Sequence, residues 1–358
     1  MAGLLAAAIV VFVPIGMAGW HLTRNRLLFF GAAFFITLAI LVHVMPYIPS
    51  VLAVLSLHPR SIATGLDPQS TFLKSNGCFS HLHSINWEKL HLSPNVMENR
   101  SQLSAARWSW IPRKGCNFQI ISRSDSLQLL KGARIIVAGD SQARFFFVSF
   151  LELLTGNVEE IKLKLFKYHS NYDYTIHKQQ IKVDYVWASY TSDITRLLLE
   201  LHTNKTYPDI IIMGAGLWHM LHVANASSYG YSLQRLRRTV FSLSRVASFS
   251  EHVILGGTEV IENSAIPRFF WLNMPTLIPS LLNSELKRQR MTTNATALYA
   301  KELLKSALTY PKGPCFMIDL EILSQGCGPN CTLDGMHYDY VMYNVAVQIL
   351  MNFLLMSS

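Results

Sequence analysis

Hydrophobic positions fall into two regimes along the chain. Leu4 to Trp20 and Leu27 to Met45 are apolar and free of charge, with Arg24 and Arg26 in the short break between them. Each run approaches the ~20 residues that cross a bilayer as a helix. From about residue 131 the apolar runs shorten and alternate in period. Ala133 to Ala138 is nearly continuous, as in a strand buried on both faces, and Phe145 to Leu154 follows at helical spacing. Ile181–Trp187 reads as a strand, Ile194–His202 as a helix, Ile210–Met213 as a strand and Ser232–Ala247 as a helix. Val253–Gly256 then reads as a fourth strand, Thr293–Leu308 as a helix and Cys315–Asp319 as a fifth strand. This alternation predicts an α/β domain with a mainly parallel sheet and helices on both faces. Val341–Met356 is too short for a span. Its Asn344, Gln348 and Asn352 recur every four residues along one face, which predicts a helix docked on the domain.

Residues 58–130 lack such a pattern. Pro, Ser, Asn and His are scattered among Trp87, Trp108 and Trp110, with no internal repeat. The chain is thus expected to divide into a membrane anchor (1–57, spans at about 4–20 and 27–45), a disulfide-tied lead-in (58–130) and a catalytic domain (131–358). His81-x-His83 has no further ligand at metal spacing, so it reads as a surface loop.

A cleaved signal peptide is the alternative for the first run, but the basic n-region is missing. With two spans, Arg24 and Arg26 mark the connection as cytoplasmic and place everything after residue 57 in the lumen. One long anchor from Leu27 leads to the same side. Glycosylation sequons at Asn99, Asn204, Asn225, Asn294 and Asn330 all follow the spans. So do all five cysteines, Cys78, Cys116, Cys315, Cys327 and Cys331, as disulfides in an oxidising compartment require. The odd number leaves at least one unpaired within the chain. The preferred pairs are Cys78 with Cys116, and Cys315 with Cys327 or Cys331.

With 358 residues the chain has ample material for a core, and its 50% apolar content is raised by the N-terminal runs. The net charge of +9 suits an acidic glycan, an anionic donor or an ordinary solvated surface. No Arg/Lys cluster with interleaved aromatics points to nucleic acid, and no metal site is expected.

Two short motifs carry chemistry. Gly139-Asp140-Ser141 leaves the C-terminal end of the first strand of the domain, where open α/β sheets place their active sites. Asp334-Gly335-Met336-His337 lies near the other end. A serine hydroxyl is a weak nucleophile until a base takes its proton; His337 can serve as that base and Asp334 can orient its ring. The structural alternative for Asp334 is a cap on the final helix. An acyl intermediate also needs oxyanion donors, for which the Ser141 backbone N–H, Gly214, Gly216 and the Arg144 guanidinium are candidates. Trp218 and His219 could line a sugar cleft, and Trp218 could equally be core.

Together, Trp110-Ile111-Pro112-Arg113-Lys114-Gly115-Cys116, Gly139-Asp140-Ser141-Gln142-Ala143-Arg144 and Asp334-Gly335-Met336-His337 resemble the PC-esterase branch of the SGNH (GDSL-like) hydrolase superfamily. That branch includes trichome-birefringence-like polysaccharide O-acetyltransferases and, as the nearer likeness, the catalytic domain of sialate O-acetyltransferase. The likeness covers about residues 75 to 355. It implies a flavodoxin-like sheet, Golgi residence, Ser141 as an acetyl-carrying nucleophile, His337 as base and Asp334 as its partner. The Gly-x-Asn-Asp block of typical SGNH hydrolases is replaced by Gly214-Ala215-Gly216-Leu217-Trp218-His219, which shifts weight to Arg144. The sialate enzyme continues into a multi-span region, whereas this chain stops at Ser358. The expected co-substrate is therefore a lumenal acetyl donor, with acetyl-CoA one candidate, or acetyl groups supplied by a partner membrane protein. No bound cofactor is expected. The sequence leads to a Golgi membrane-anchored O-acetyltransferase acting on a glycan or polysaccharide. An O-acetylesterase of the same fold and a catalytically silent lumenal glycan-binding or scaffold protein are the alternatives.

Overall fold

The computed structural model describes residues 81–89, 108–112, 118–249 and 267–357. The two apolar N-terminal runs, Asn99, Cys78, Cys116 and the Val253–Gly256 strand expectation lie outside the described residues. Among the described residues no helix is long and apolar enough to cross a membrane.

Among the described residues, a six-stranded sheet organises the domain. Strands β3 (Arg134–Gly139), β5 (Ile181–Trp187), β6 (Ile210–Gly214), β7 (Arg268–Leu272) and β8 (Phe316–Ile318) run parallel, and β4 (Tyr172–Ile176) adds an antiparallel edge. The spatial order is β4-β5-β3-β6-β7-β8. Its parallel part has the flavodoxin-like 2-1-3-4-5 order, so the chain reverses direction across the sheet beside β3. The fully apolar reading of β3 follows from this central place. Ile135 and Val137 face one core, Ile136 and Ala138 the other, as a period-two strand between two helix layers requires.

One face carries α1 (Arg123–Leu129), α2 (Ser141–Thr155), α3 (Glu159–Leu165), α9 (Leu320–Cys327) and α10 (Tyr340–Met356). The other carries α4 (Thr191–Thr203), α5 (Leu217–His222), α6 (Ala226–Phe249) and α8 (Thr293–Ser306), with the short α7 (Glu285–Arg290) beside α5. Strand β7 is absent from the pattern-based reading. Arg268-Phe-Phe-Trp-Leu272 holds only four consecutive apolar residues between Pro267 and Asn273, yet it pairs with β6 and from Phe269 onward is buried on both faces.

The lead-in holds more regular structure than its composition suggests. Strands β1 (Ile85–Lys89) and β2 (Trp108–Pro112) form an antiparallel pair that meets α9 and α10. His83 is not at the surface. Its Nε2 accepts the Asp319 N–H at 2.9 Å, its ring stacks on Phe316, and burial brings its pKa down to about 4 against the pull of Asp319. Helix α10 is docked as expected, but its polar stripe is used rather than solvated. Asn344 is exposed, whereas Gln348 and Asn352 are buried and bond the backbone N–H and C=O of Ile121 and Gln119 at 2.8–2.9 Å. Amides at this spacing accept and donate like an extra strand, satisfying backbone that would otherwise be orphaned.

The cysteine expectation needs one correction. Cys327 pairs with Cys331, and Cys315 is a buried free thiol. Cys315 packs in the core on the α8 face, whereas Cys327 and Cys331 pack in the core on the α10 face. The sheet separates them, so no bridge between the two groups can form.

Candidate active site

Ser141 opens α2 immediately after β3, and sheet register dictates its place. Gly139 is the last residue of β3 and pairs with Gly214 on one side and Trp187 on the other. A Cβ on Gly139 would run into the Gly214 carbonyl and sit 2.7 Å from the Ala143 Cβ. Only glycine allows β3, β6 and the first turn of α2 to converge so closely. Asp140 is the N-cap. Its carboxylate accepts the Gln142 N–H at 3.0 Å and a hydrogen bond from the Leu217 backbone, which joins the β3 turn to the β6 turn. Complete burial raises its pKa to about 6, against the lowering effect of those bonds and of His337. The Tyr185 hydroxyl braces the same turn from below, 3.2 Å from the carbonyls of both Gly139 and Asp140.

His337 comes from a loop with no regular structure. The Asp334 Oδ1 accepts the backbone N–H of Met336 at 3.0 Å and of His337 at 2.8 Å, while Oδ2 lies 2.7 Å from His337 Nδ1. Thr332 Oγ1 donates to the His337 carbonyl at 2.7 Å and accepts from Gly335 N–H at 3.0 Å. Gly335 has φ +75°, a conformation that favours glycine, and its carbonyl accepts from Ile278 N–H. Asp334 therefore does not cap the last helix; Asp339 occupies that N-cap.

The two pieces meet across the sheet edge. His337 Nε2 lies 2.7 Å from Ser141 Oγ, completing a Ser141–His337–Asp334 chain of side-chain hydrogen bonds. Burial acts to raise the Asp334 pKa, but the hydrogen bonds from the His337 side chain and backbone and the His337 charge outweigh it. They hold the carboxyl well below the usual range, so Asp334 is an anion at neutral pH. With Asp334 accepting, the imidazole carries its proton on Nδ1 and turns an unprotonated Nε2 toward the serine hydroxyl. Phe145, one turn after Ser141, lies against the His337 ring at 5.4 Å between centroids and stacks on Tyr343.

The other expected residues fall into two groups. Arg144 lies beside the turn, about nine-tenths buried, with its guanidinium 4.6 Å from the Phe166 centroid and 5.5 Å from that of Trp187. Nη1 reaches the Leu165 carbonyl at 3.4 Å, and burial lowers the pKa. Among the described residues no carboxylate forms an ion pair with it. Trp218 is half-buried in a ring cluster with His169, Trp187 and His222 on the same sheet edge, rather than in the core. Trp187 and His169 carry no sequence signal for this role; the register that sets the strand-ending Trp187 beside Gly139 brings them to the site. His219, by contrast, points inward and bonds Tyr299 at 2.9 Å. Gly214 and Gly216 allow close packing: a Cβ on Gly216 would meet Met274 Sδ at 2.7 Å. The sequons Asn204, Asn225, Asn294 and Asn330 are all exposed.

Comparison with known proteins identifies relatives of the chain as a whole. The chain is 37% identical over 371 residues to Protein ALTERED XYLOGLUCAN 9 of Arabidopsis thaliana, covering 99% of this chain and 97% of that protein. It is 22% identical over 251 residues to the N-acetylneuraminate (7)9-O-acetyltransferase of Danio rerio, covering 68% of this chain and 28% of that enzyme. No protein-family model matches the chain. Among solved structures, a carbohydrate acetylesterase family member from Sinorhizobium meliloti is 16% identical with a TM-score of 0.35, covering 62% of this chain and 99% of its own. An acetylxylan esterase from Geobacillus stearothermophilus is 12% identical at the same TM-score, covering 63% and 94%. The chain belongs to the family of ALTERED XYLOGLUCAN 9, within the PC-esterase branch of the SGNH hydrolase superfamily.

Proposed function

We propose that this protein is a polysaccharide O-acetyltransferase that works through an acetyl-Ser141 intermediate. The observation that carries the proposal is the unbroken Ser141–His337–Asp334 hydrogen-bond chain, formed by two motifs at opposite ends of the domain. In the first half-reaction Ser141 Oγ attacks the acetyl carbonyl of the donor while His337 Nε2 takes the hydroxyl proton. The oxyanion receives the Ser141 backbone N–H at the open end of α2, with Arg144, one turn further along the same helix, as a second candidate donor. His337 then passes its proton to the departing donor group. In the second half a sugar hydroxyl gives its proton to His337 and attacks the acetyl-serine, and collapse returns that proton to Ser141. Asp334 stays ionised throughout and stabilises the imidazolium.

Water entering in place of the sugar would make the same chain an esterase, so acceptor access separates the two activities. An inert scaffold would have no need to keep a polarised Asp–His pair against a serine. The reading extends to location. The exposed sequons and the basic connection between the apolar runs support a Golgi-lumenal domain on an N-terminal anchor, using a lumenal acetyl donor such as acetyl-CoA or one passed on by a membrane partner.

The test uses the full-length protein in microsomes. Fluorophosphonate labelling should map to Ser141, and an acetyl donor with a polysaccharide panel should give acetylated polymer. Both should vanish in a folded Ser141→Ala protein; activity surviving there would remove Ser141 as the nucleophile. Donor consumption indifferent to acceptor would favour the esterase. Glycosidase should shift the protein's mobility, and digestion by protease added outside sealed vesicles would overturn the lumenal placement.

A further inference from the structure

Gln142, next to Ser141, has no place in the reaction just described, yet its side chain is buried and fully engaged. Its Nε2 donates to the Met336 carbonyl at 2.9 Å, and its Oε1 accepts from the Tyr343 hydroxyl at 2.5 Å. The Tyr343 oxygen in turn takes a hydrogen bond from the Tyr338 backbone. The circuit runs from the Met336 C=O through Gln142 and Tyr343 to the Tyr338 N–H, so it grips the peptide groups on both sides of His337. Apart from the His337–Ser141 bond itself, it is the side-chain hydrogen bonding that ties this loop to α2 among the described residues.

We infer that Gln142 and Tyr343 are positioning residues that set the reach of His337 Nε2 to Ser141 Oγ. The inference rests on the Ser141–His337–Asp334 reading. The chemistry of the position selects an amide. The residue must donate to a carbonyl and accept from a phenol at once. Asparagine is one methylene too short, and a carboxylate offers no donor. An error of about 1 Å in reacting geometry costs on the order of 10²-fold in rate, so the circuit acts on turnover even though it touches no substrate.

The test measures the rate at which Ser141 in the full-length protein reacts with a fluorophosphonate, which needs no knowledge of donor or acceptor. Gln142→Met keeps the shape and removes both bonds; its maximal labelling rate should fall roughly 10- to 100-fold with little change in the reagent concentration for half-saturation. Gln142→Glu is the decisive variant. As a neutral acid it can donate to Met336 and accept from Tyr343; as a carboxylate it cannot. Its rate relative to the parent should approach one in acid and fall as pH rises, and the ratio cancels the pH dependence of the triad itself. Tyr343→Phe should lose less, and combining it with Gln142→Met should add little, since both act through one circuit. A merely structural role would give a ratio flat with pH. That flat ratio, or a folded Gln142→Met protein with the parental rate, would overturn the inference. Ser141→Ala is measured alongside. Labelling that persists there defeats the triad reading, whereas loss of labelling with parental Gln142 variants defeats this inference alone.

Discussion

Ser141 and His337 approach each other from opposite ends of the domain, and the protein holds them by different means. On the serine side nearly everything is backbone: a central strand, a register of Gly139 against Gly214, a helix N-terminus and a buried Asp140 cap. On the histidine side the backbone supplies only an isolated bridge between Thr332 and Tyr338 and a bond from the Ile278 N–H to the Gly335 carbonyl. Asp334, Thr332 and Gly335 fold the loop on itself, and Gln142, Tyr343 and Tyr338 fasten it to the rest. The difference assigns separate tasks. The sheet fixes where the nucleophile is, and side-chain hydrogen bonds tune where the base is. Damage to the first should appear as lost stability, and damage to the second as lost rate.

The largest effect that sharpens this contrast is expected at Asp334. Asp334→Asn can keep its Oδ1 acceptor for the Met336 and His337 amides, so the loop should hold its shape and melting should change little. The Nδ1 proton of His337 loses its anionic partner and the ring its preferred tautomer. By analogy with serine triads the rate should drop by about two to four orders of magnitude. Paired kinetics and thermal melting decide it: a large fall in melting temperature with a small rate loss would reverse the division of labour.

This division also explains what could be read from sequence. Strands β3 and β6 announce themselves because burial on both faces demands continuous apolar runs, β5 by its apolar-polar alternation, and Gly139-Asp140-Ser141 closes the first of them. Helix α10 was legible from its length and from the spacing of Gln348 and Asn352, but not what those amides bind, since residues 119–121 carry no pattern of their own. Strand β4 escapes because Tyr172-Asp-Tyr-Thr-Ile176 is a short edge strand that buries no residue fully, so its inward positions are not marked by strongly apolar side chains. Strand β7 escapes because its four apolar residues, Phe269 to Leu272, fit a buried helix as well as a strand. At the site, Ser141, Asp334 and His337 stand out by residue type. Gln142 does not: its meaning depends on Met336 and Tyr343, about two hundred residues away. Cys315 was misassigned for a similar reason. Its proximity to Cys327 in sequence says nothing about which face of the sheet each occupies.

Gly139→Ala breaks the serine side. The added methyl meets a backbone carbonyl, which cannot swing away as a side chain would, so β3, β6 or the first turn of α2 must shift. A loss on the order of 2–4 kcal/mol in unfolding free energy is expected for overpacking at such a position. Chemical denaturation measures it directly. A variant as stable as the parent would show that the strand register is softer than the Gly139–Gly214 pairing implies.

The smallest expected effect is a pH-dependent one at Asp140, and it tests whether the serine side is tuned for charge or only for shape. Burial raises the folded-state pKa of Asp140 to about 6, above its ordinary value near 3.8. A raised pKa means that the folded protein holds its proton more tightly than the unfolded chain. The associated stability is therefore full below about pH 4 and is lost as pH rises through about 6. Asp140→Asn keeps an N-cap oxygen for the Gln142 amide but cannot ionise. The difference in melting temperature, variant minus parent, should therefore climb between pH 4 and 6 and then level off. A constant offset over that interval would mean that the carboxylate is no worse in the fold than in water, and that the Leu217 and Gln142 hydrogen bonds fully offset its burial. In that case Asp140 acts as a helix cap and bridge between the β3 and β6 turns, with no electrostatic cost for the site to carry.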